Sequence, residues 1–95
     1  MIRGHGLPKI HFTSNLQRYV SCSSLDASGA TVGAALNVVF EEVPALRSYL
    51  LDDHGRLRRH VNIFVNGDPV RDRIKLSDAL NPDDEVYVFQ ALSGG

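Results

Sequence analysis

Apolar and polar residues alternate in two stretches of the chain, and each alternation is typical of a β-strand with one buried face. In residues 61–66, branched aliphatic side chains occupy every second position, and Phe64 faces the other way. In residues 85–91, two valines alternate with Tyr87 and Phe89. Both stretches therefore predict strands that bury an aliphatic face and turn aromatic side chains to the opposite side.

Three shorter stretches predict further strands. Residues 9–13 alternate between apolar and polar side chains, and residues 22–27 would pair with them as a hairpin with a long connection. Asn66-Gly67 is a common tight-turn dipeptide, so residues 68–70 would form a short edge strand after it.

A helical pattern occupies the middle of the chain. Apolar residues recur at offsets 0, 4, 7, 8 and 11 from Val32, which predicts one amphipathic helix with Thr31 as its N-cap. Pro44 ends this helix, because a proline disfavours the α conformation of the residue before it. Pro44 is also suited to begin a second, short helix, whose inner face would carry Leu46 and Leu50.

The order of these elements predicts an α+β protein in which a mixed sheet packs on one main helix. A single helical turn is expected at residues 76–80, and a loop at residues 81–84. The chain shows neither internal repeats nor a linker. Residues 1–95 are therefore expected to form a single domain, with residues 92–95 as a flexible C-terminal tail.

Composition narrows the possible functions. The 95 residues are 43% hydrophobic and 22% charged, with a net charge of -1, so bulk attraction to nucleic acid or an acidic membrane is not expected. Cys22 is the only cysteine and the four histidines lack metal-ligand spacing, so we expect no metal site. Residues 1–9 lack the apolar run of a signal peptide, and no stretch is long enough to span a membrane. A cytoplasmic location is therefore expected.

The sequence Leu92-Ser93-Gly94-Gly95 is the strongest candidate for chemistry. An α-carboxylate is ionised at neutral pH and can act as a nucleophile. Glycine has no Cβ, so it can enter a narrow channel and leaves the carbonyl open to attack. Gly95 is therefore the candidate reacting residue, Gly94 gives access, and Ala91, Leu92 and Ser93 give reach. The last four residues span at most about 13–14 Å when extended.

Residues 56–60 form a basic run, followed by Arg71, Arg73 and Lys75. The run is either a docking patch for an acidic partner or RNA, or a set of solvated cations at an exposed strand edge. We favour the strand edge. The absence of interleaved aromatic residues argues against RNA.

Phe64, Tyr87 and Phe89 also allow two interpretations. They are either exposed on the outer face of the sheet, where they would form a partner surface, or covered by residues 44–59.

The order and spacing of four stretches carry a resemblance to a known family: residues 26–32 with Ala35-Leu36, residues 61–67, Leu76 and Leu80 followed by residues 83–86, and residues 91–95. These stretches resemble the ubiquitin-like β-grasp sulfur carriers. This family includes the small subunit of molybdopterin synthase and the thiamine-biosynthesis sulfur carrier. Asp83 stands where the family often has glycine, and the insert at residues 44–59 is more similar to carriers in cysteine or other secondary-metabolite sulfur pathways.

The resemblance implies a β-grasp fold and a protein co-substrate rather than an enzyme. In the family, a ubiquitin-activating-type enzyme uses ATP to adenylate the terminal carboxylate, which would be that of Gly95. Sulfur from a persulfide donor then displaces AMP, and the resulting thiocarboxylate supplies sulfide to an acceptor enzyme. Phe64, Tyr87 and Phe89 lie where the family contacts these partners. We expect no bound cofactor, because ATP belongs to the activating enzyme.

Two alternatives to a sulfur carrier remain open. The protein could be a ubiquitin-like modifier that is joined through Gly95 to lysines of other proteins. It could also be a β-grasp binding module with an inert tail.

Overall fold

The computed structural model describes residues 7–13 and 24–90. The elements follow the predicted order, with most strands slightly shorter than expected. Cys22 and Ala91, at the ends of two predicted strands, lie outside the described residues. The elements are β1 (Lys9–Phe12), β2 (Ser24–Asp26), α1 (Val32–Glu42), α2 (Ala45–Leu50), β3 (Val61–Val65), β4 (Asp68–Pro69) and β5 (Glu85–Gln90).

The strands form one mixed sheet in the order β2-β1-β5-β3-β4. β1 runs parallel to β5 and antiparallel to β2, whereas β3 runs antiparallel to both β5 and β4. The predicted mixed sheet is therefore confirmed. β5, the strand that leads towards the candidate tail, lies in the middle of this sheet.

Both helices pack their apolar residues into the core on one side of the sheet. Thr31 caps α1 as predicted, since its Oγ1 accepts a hydrogen bond from the backbone N–H of Ala34 at 3.1 Å. α2 follows Pro44, and it buries Leu46 and Leu50 completely. The fully buried aliphatic side chains from the two layers are Ile10, Val32, Leu36, Val39, Leu46, Leu50, Val61, Ile63, Val86 and Val88.

The predicted helical turn at residues 76–80 is wrong. The turn of helical type lies one turn earlier, where the N–H of Leu76 bonds the carbonyl of Asp72, and Leu76 itself has a left-handed φ of 55°. The residues that follow run past the start of α1. There the carbonyls of Leu76 and Asp78 accept hydrogen bonds from Gly33 and Val32, respectively. This segment therefore satisfies helix N–H groups that have no partner within the helix.

Left-handed backbone angles occur in the turn after β3 and in the loop before β5. Asn66 and Gly67 have φ values of 52° and 93°, as a tight hairpin turn between antiparallel strands requires, so the predicted turn is confirmed. Asp83 has a φ of 72°. This angle gives a physical reason for the glycine that the family pattern often has there, because glycine adopts it without steric cost.

Candidate functional site

The last residues of β5 pair with the neighbouring strands on both sides, and one of them is hydrogen-bonded to α2. Gln90 pairs with Val61 of β3, and Val88 pairs with Phe12 of the parallel strand β1. The hydroxyl of Tyr49, on α2, donates a hydrogen bond to Oε1 of Gln90. Gln90 is therefore a fixed point from which the chain continues. The predicted tail residues Ala91, Leu92, Ser93, Gly94 and Gly95 lie outside the described residues.

Phe64, Tyr87 and Phe89 form an aromatic patch on the outer face of the sheet. The rings of Phe64 and Phe89 pack edge to face with centroids 5.6 Å apart, and those of Tyr87 and Phe89 lie 6.4 Å apart. Tyr87 and Phe89 remain 38% and 40% exposed, and with Gly67 the three rings line an open hollow of about 310 Å³. The insert does not cover this patch, because Leu46 and Leu50 of α2 pack into the core instead.

His11 extends the aromatic patch, and the sequence interpretation did not include it. Its ring stacks on that of Tyr87 with centroids 4.4 Å apart and an angle of 11° between the planes. Nε2 of His11 also forms a hydrogen bond with the carboxylate of Glu85. The signal was present in the sequence, because buried Ile10 and its neighbour must face opposite ways on a strand.

The basic run at residues 56–60 does not lie on a strand edge, so that expectation is wrong. It occupies the loop between α2 and β3, and the edge strands of the sheet are β2 and β4. Arg73 joins the run from a different loop, since its guanidinium bonds the carbonyls of Arg58 and Val61 at 2.8 and 2.7 Å. Together these residues line an open groove of about 600 Å³.

The acidic residues with shifted pKa values organise turns. The Ser77 hydroxyl and the N–H groups of Lys75, Ile74 and Ser77 donate to Asp72, which lowers the pKa of its carboxyl to about 2. The pKa of Asp52 is lowered mainly by the backbone N–H of Arg56. The two carboxylates are structural.

Within residues 7–13 and 24–90, His, Cys, Asp and Glu side chains do not gather in a group of three or more that could hold a metal ion. In the same part of the chain, no helix is long and apolar enough to cross a membrane.

A mixed five-stranded sheet that packs on one main helix, with an exposed aromatic patch on its outer face, defines a ubiquitin-like β-grasp protein. Residues 10–95 match the ThiS family, and the chain belongs to that family.

The relatives include both sulfur carriers and protein modifiers. Small archaeal modifier protein 1 of Haloferax volcanii is 38% identical over 72 residues, which are 75% of this chain and 78% of the relative. Its crystal structure superposes with a TM-score of 0.80 at 28% identity, over 93% of this chain and 98% of that one. The sulfur carrier protein CysO of Mycobacterium tuberculosis is 35% identical over 74 residues, which are 76% of this chain and 80% of CysO.

A chain of the Amycolatopsis orientalis BexX/CysO complex has the same fold, with a TM-score of 0.83 at 24% identity over 93% of this chain and 99% of that one. The named relatives are small carrier or modifier proteins rather than catalysts. The present chain is therefore a protein of the sulfur-carrier or ubiquitin-like-modifier kind.

Proposed function

We propose that this protein is a sulfur carrier whose active form ends at Gly95 and carries a thiocarboxylate there. The observation that carries the proposal is the position of β5. This strand lies between β1 and β3, and it ends at Gln90, five residues before Gly95. A strand that is hydrogen-bonded on both sides provides a rigid base from which a short glycine-ended segment can reach a partner's active site. The family match that extends to residue 95 supports the same proposal.

The proposed chemistry has three steps. A carboxylate oxygen of Gly95 attacks the α-phosphorus of ATP, and pyrophosphate leaves, so that an acyl adenylate forms. The terminal sulfur of a persulfide then attacks the carbonyl carbon, and AMP leaves. A second thiol cleaves the sulfur–sulfur bond of the resulting acyl disulfide, which releases the thiocarboxylate and leaves a disulfide on the donor. Gly94 and Gly95 suit these steps because they present no Cβ to hinder attack on the carbonyl.

The aromatic patch is the proposed surface for the adenylating enzyme and for the acceptor of the sulfur. Exposed aromatic side chains are typical anchors of protein interfaces. Phe89 and Tyr87 lie on β5 itself, so a partner that covers them is also placed beside Gln90. ATP is bound by the adenylating enzyme in this scheme, and the proposed setting is the cytoplasm, where ATP is available.

A protein modifier is the second candidate, and one observation favours it. The identity to small archaeal modifier protein 1 is 38%, against 35% to CysO. Activation of Gly95 would be the same in both cases. A lysine amine would then displace AMP, in place of sulfur, and form an amide bond to the target protein.

Intact-mass spectrometry tests the proposal. The protein is incubated with the adenylating enzyme of its own organism, ATP and a persulfide donor. A sulfur carrier gains the mass that corresponds to one oxygen replaced by sulfur, and a variant that lacks Gly94-Gly95 does not. An unmodified mass in a reaction that consumes ATP contradicts the carrier. Conjugates that persist under reducing denaturation identify a modifier, and full cellular activity of the truncated variant identifies an inert tail.

A further inference from the structure

The basic groove is a second surface feature, separate from the aromatic patch. Its cationic side chains come from two loops that are brought together by folding. They are those of Arg56, Arg58, Arg59 and Arg73, with His60 beside them. Four of the ten lysines and arginines of the chain thus line one groove, although the net charge of the whole protein is -1. The positive charge is therefore local rather than a property of the whole surface.

Two guanidinium groups in the groove are held in place by neutral acceptors. Nε of Arg58 donates to the carbonyl of Ser48 at 2.9 Å, and Nη2 of Arg73 donates to two backbone carbonyls. A hydrogen bond to a carbonyl fixes the position of a guanidinium but does not neutralise its charge. The groove therefore presents positioned positive charge that remains available to an anionic partner.

The one carboxylate of the groove is already engaged. Asp52 accepts hydrogen bonds from the backbone N–H groups of His54 and Arg56, and it also pairs with Nε of Arg56 at 3.1 Å. Arg59 is exposed, and among the described residues its side chain has no hydrogen-bond or ion-pair partner. The charge balance of the groove is thus positive, and Arg59 is an exposed cation in it that can pair with an acidic partner.

An apolar side chain accompanies these cations. Ile74 is 61% exposed, which makes it the most exposed large apolar residue in the described part of the chain, and it lines the groove beside Arg73. A free anion such as phosphate would gain nothing from this side chain. An acidic polypeptide segment, in contrast, can place an apolar residue on Ile74 and carboxylates on the arginines.

The groove lies next to the base of the tail. His60 immediately precedes Val61, and Val61 pairs with Gln90 across the β3–β5 ladder. A partner that occupies the groove is therefore close to the point where the chain leaves the sheet towards Gly95.

We propose that the basic groove binds an acidic, apolar-flanked segment of the adenylating enzyme that acts on the tail. This inference rests on the proposed function, and it names a second contact in addition to the aromatic patch. Paired arginine–carboxylate contacts close to Gln90, where the described part of β5 ends, would orient the carrier and speed its encounter with the enzyme. RNA fits less well, because no phenylalanine, tyrosine or tryptophan side chain lines the groove for base stacking.

The test uses Arg59→Glu with Arg71→Glu as its matched control. Both variants reverse one exposed arginine, but Arg71 lines a different hollow, with Val65 and Asp68 at the other end of β3. Binding to the purified adenylating enzyme is measured by fluorescence anisotropy, and ATP–pyrophosphate exchange gives kcat and KM. We expect Arg59→Glu to raise Kd and KM by about tenfold at low salt, to leave kcat unchanged and to flatten the salt dependence. The control should stay near wild type.

A second variant, Ile74→Ser, tests the apolar contact. We expect it to weaken binding without changing the salt dependence, because it removes no charge.

The outcomes separate the groove proposal from the proposed function. If Arg59→Glu and Arg71→Glu bind the enzyme equally well, the groove proposal is overturned, whereas ATP–pyrophosphate exchange by the wild type in the same assay still supports the proposed function. If Arg59→Glu alone loses binding but the wild type shows no ATP–pyrophosphate exchange, the groove is supported as an enzyme contact and the activation of Gly95 is contradicted. If a short oligouridylate binds the wild type and Arg71→Glu but not Arg59→Glu, while Arg59→Glu still binds the enzyme, the groove is an RNA site and the proposal is overturned.

Discussion

The hydroxyl of Tyr49 donates a hydrogen bond to the side-chain amide oxygen of Gln90, and this bond joins α2 to the last described residue of β5. Tyr49 belongs to residues 44–59, the stretch that the sequence resemblance interprets as an insert. The insert is thus part of the support for the tail, because one of its side chains holds the residue from which the tail departs.

Removal of this hydroxyl should loosen the base of the tail. Tyr49→Phe leaves the partly buried ring in place and deletes only the donor, so we expect a loss of about 0.5–1.5 kcal/mol in the free energy of unfolding. Hydrogen exchange at the amide of Gln90 should become faster. Tyr87→Phe is the control, since it deletes a hydroxyl from an exposed ring. Equal effects of the two variants on Gln90 would show that the Tyr49 bond does not hold the strand.

Gly29 should not tolerate a side chain. A Cβ at this position would lie 2.5 Å from the backbone nitrogen of Ala35 and 2.9 Å from the carbonyl carbon of Ala34, so the start of α1 would have to move. We expect Gly29→Ala to cost about 1–3 kcal/mol of stability in chemical denaturation. Ser28→Ala, on the exposed neighbouring residue, should be close to neutral. A Gly29→Ala protein as stable as wild type would mean that the loop can move away from α1 at little cost.

Asp72 should stabilise the fold only at pH values where its carboxyl is ionised. Its pKa in the folded protein is about 2, below the ordinary value of 3.8, because the Ser77 hydroxyl and backbone N–H groups donate to it. A folded pKa below the unfolded one gives stability that is fully present above about pH 4 and is lost as the pH falls towards 2. Thermal melts of wild type and Asp72→Asn should therefore converge over that range. A stability difference between the two proteins that stays constant down to pH 2 would show that the Asp72 carboxylate is not its source.

Phe89 should contribute more to partner binding than to folding. Its ring is 40% exposed on β5, so Phe89→Ser removes an interface anchor at little cost to the core. We expect affinity for the adenylating enzyme to fall by about tenfold or more, which corresponds to about 1.4 kcal/mol. Leu7→Ser changes an apolar residue of similar exposure, 45%, and serves as the control. If both variants bind equally well, the aromatic patch is not the surface that the enzyme contacts.

Gly95→Ala should abolish adenylation without unfolding the domain. A methyl group next to the activated carbonyl crowds the position of attack, and one residue added after Gly95 moves the carboxylate away from ATP. ATP–pyrophosphate exchange measures the loss, and the melting temperature should be that of the wild type. Ser93→Ala, two residues earlier, should retain exchange. An unchanged exchange rate in either Gly95 variant would rule out this residue as the reacting terminus.

The sequence predicts buried positions best where apolar residues recur at a regular spacing. Val61 and Ile63 on β3, and Val86 and Val88 on β5, were all expected to face the core, and they are buried there. The Thr31 cap was also correct, because a cap depends on residues that are close in sequence. The helical turn at residues 76–80 failed for the opposite reason. Leu76 and Asp78 direct their carbonyls to α1, which lies more than forty residues earlier in the chain.

The two proposed surfaces likewise have features that the sequence predicts and features that depend on the fold. Phe64, Tyr87 and Phe89 could be assigned to one face of the sheet from their alternation, but their exposure depended on where residues 44–59 pack. The basic run was visible in the sequence, whereas its contact with Arg73 depends on hydrogen bonds to Arg58 and Val61 that only the fold creates. The central position of β5 likewise depends on long-range pairing that no local pattern contains.

The parallel pairing of β1 with β5 also has a mechanical consequence. Lys9 begins β1 beside Glu85, whereas Gln90 ends β5 at the opposite end of the sheet. A force that pulls Gln90 away from Lys9 therefore acts along the strands, and it loads the four pairs of the β1–β5 ladder together rather than one after another. The domain should thus resist such a pull in shear, so that it stays folded when a partner pulls on the chain beyond Gln90.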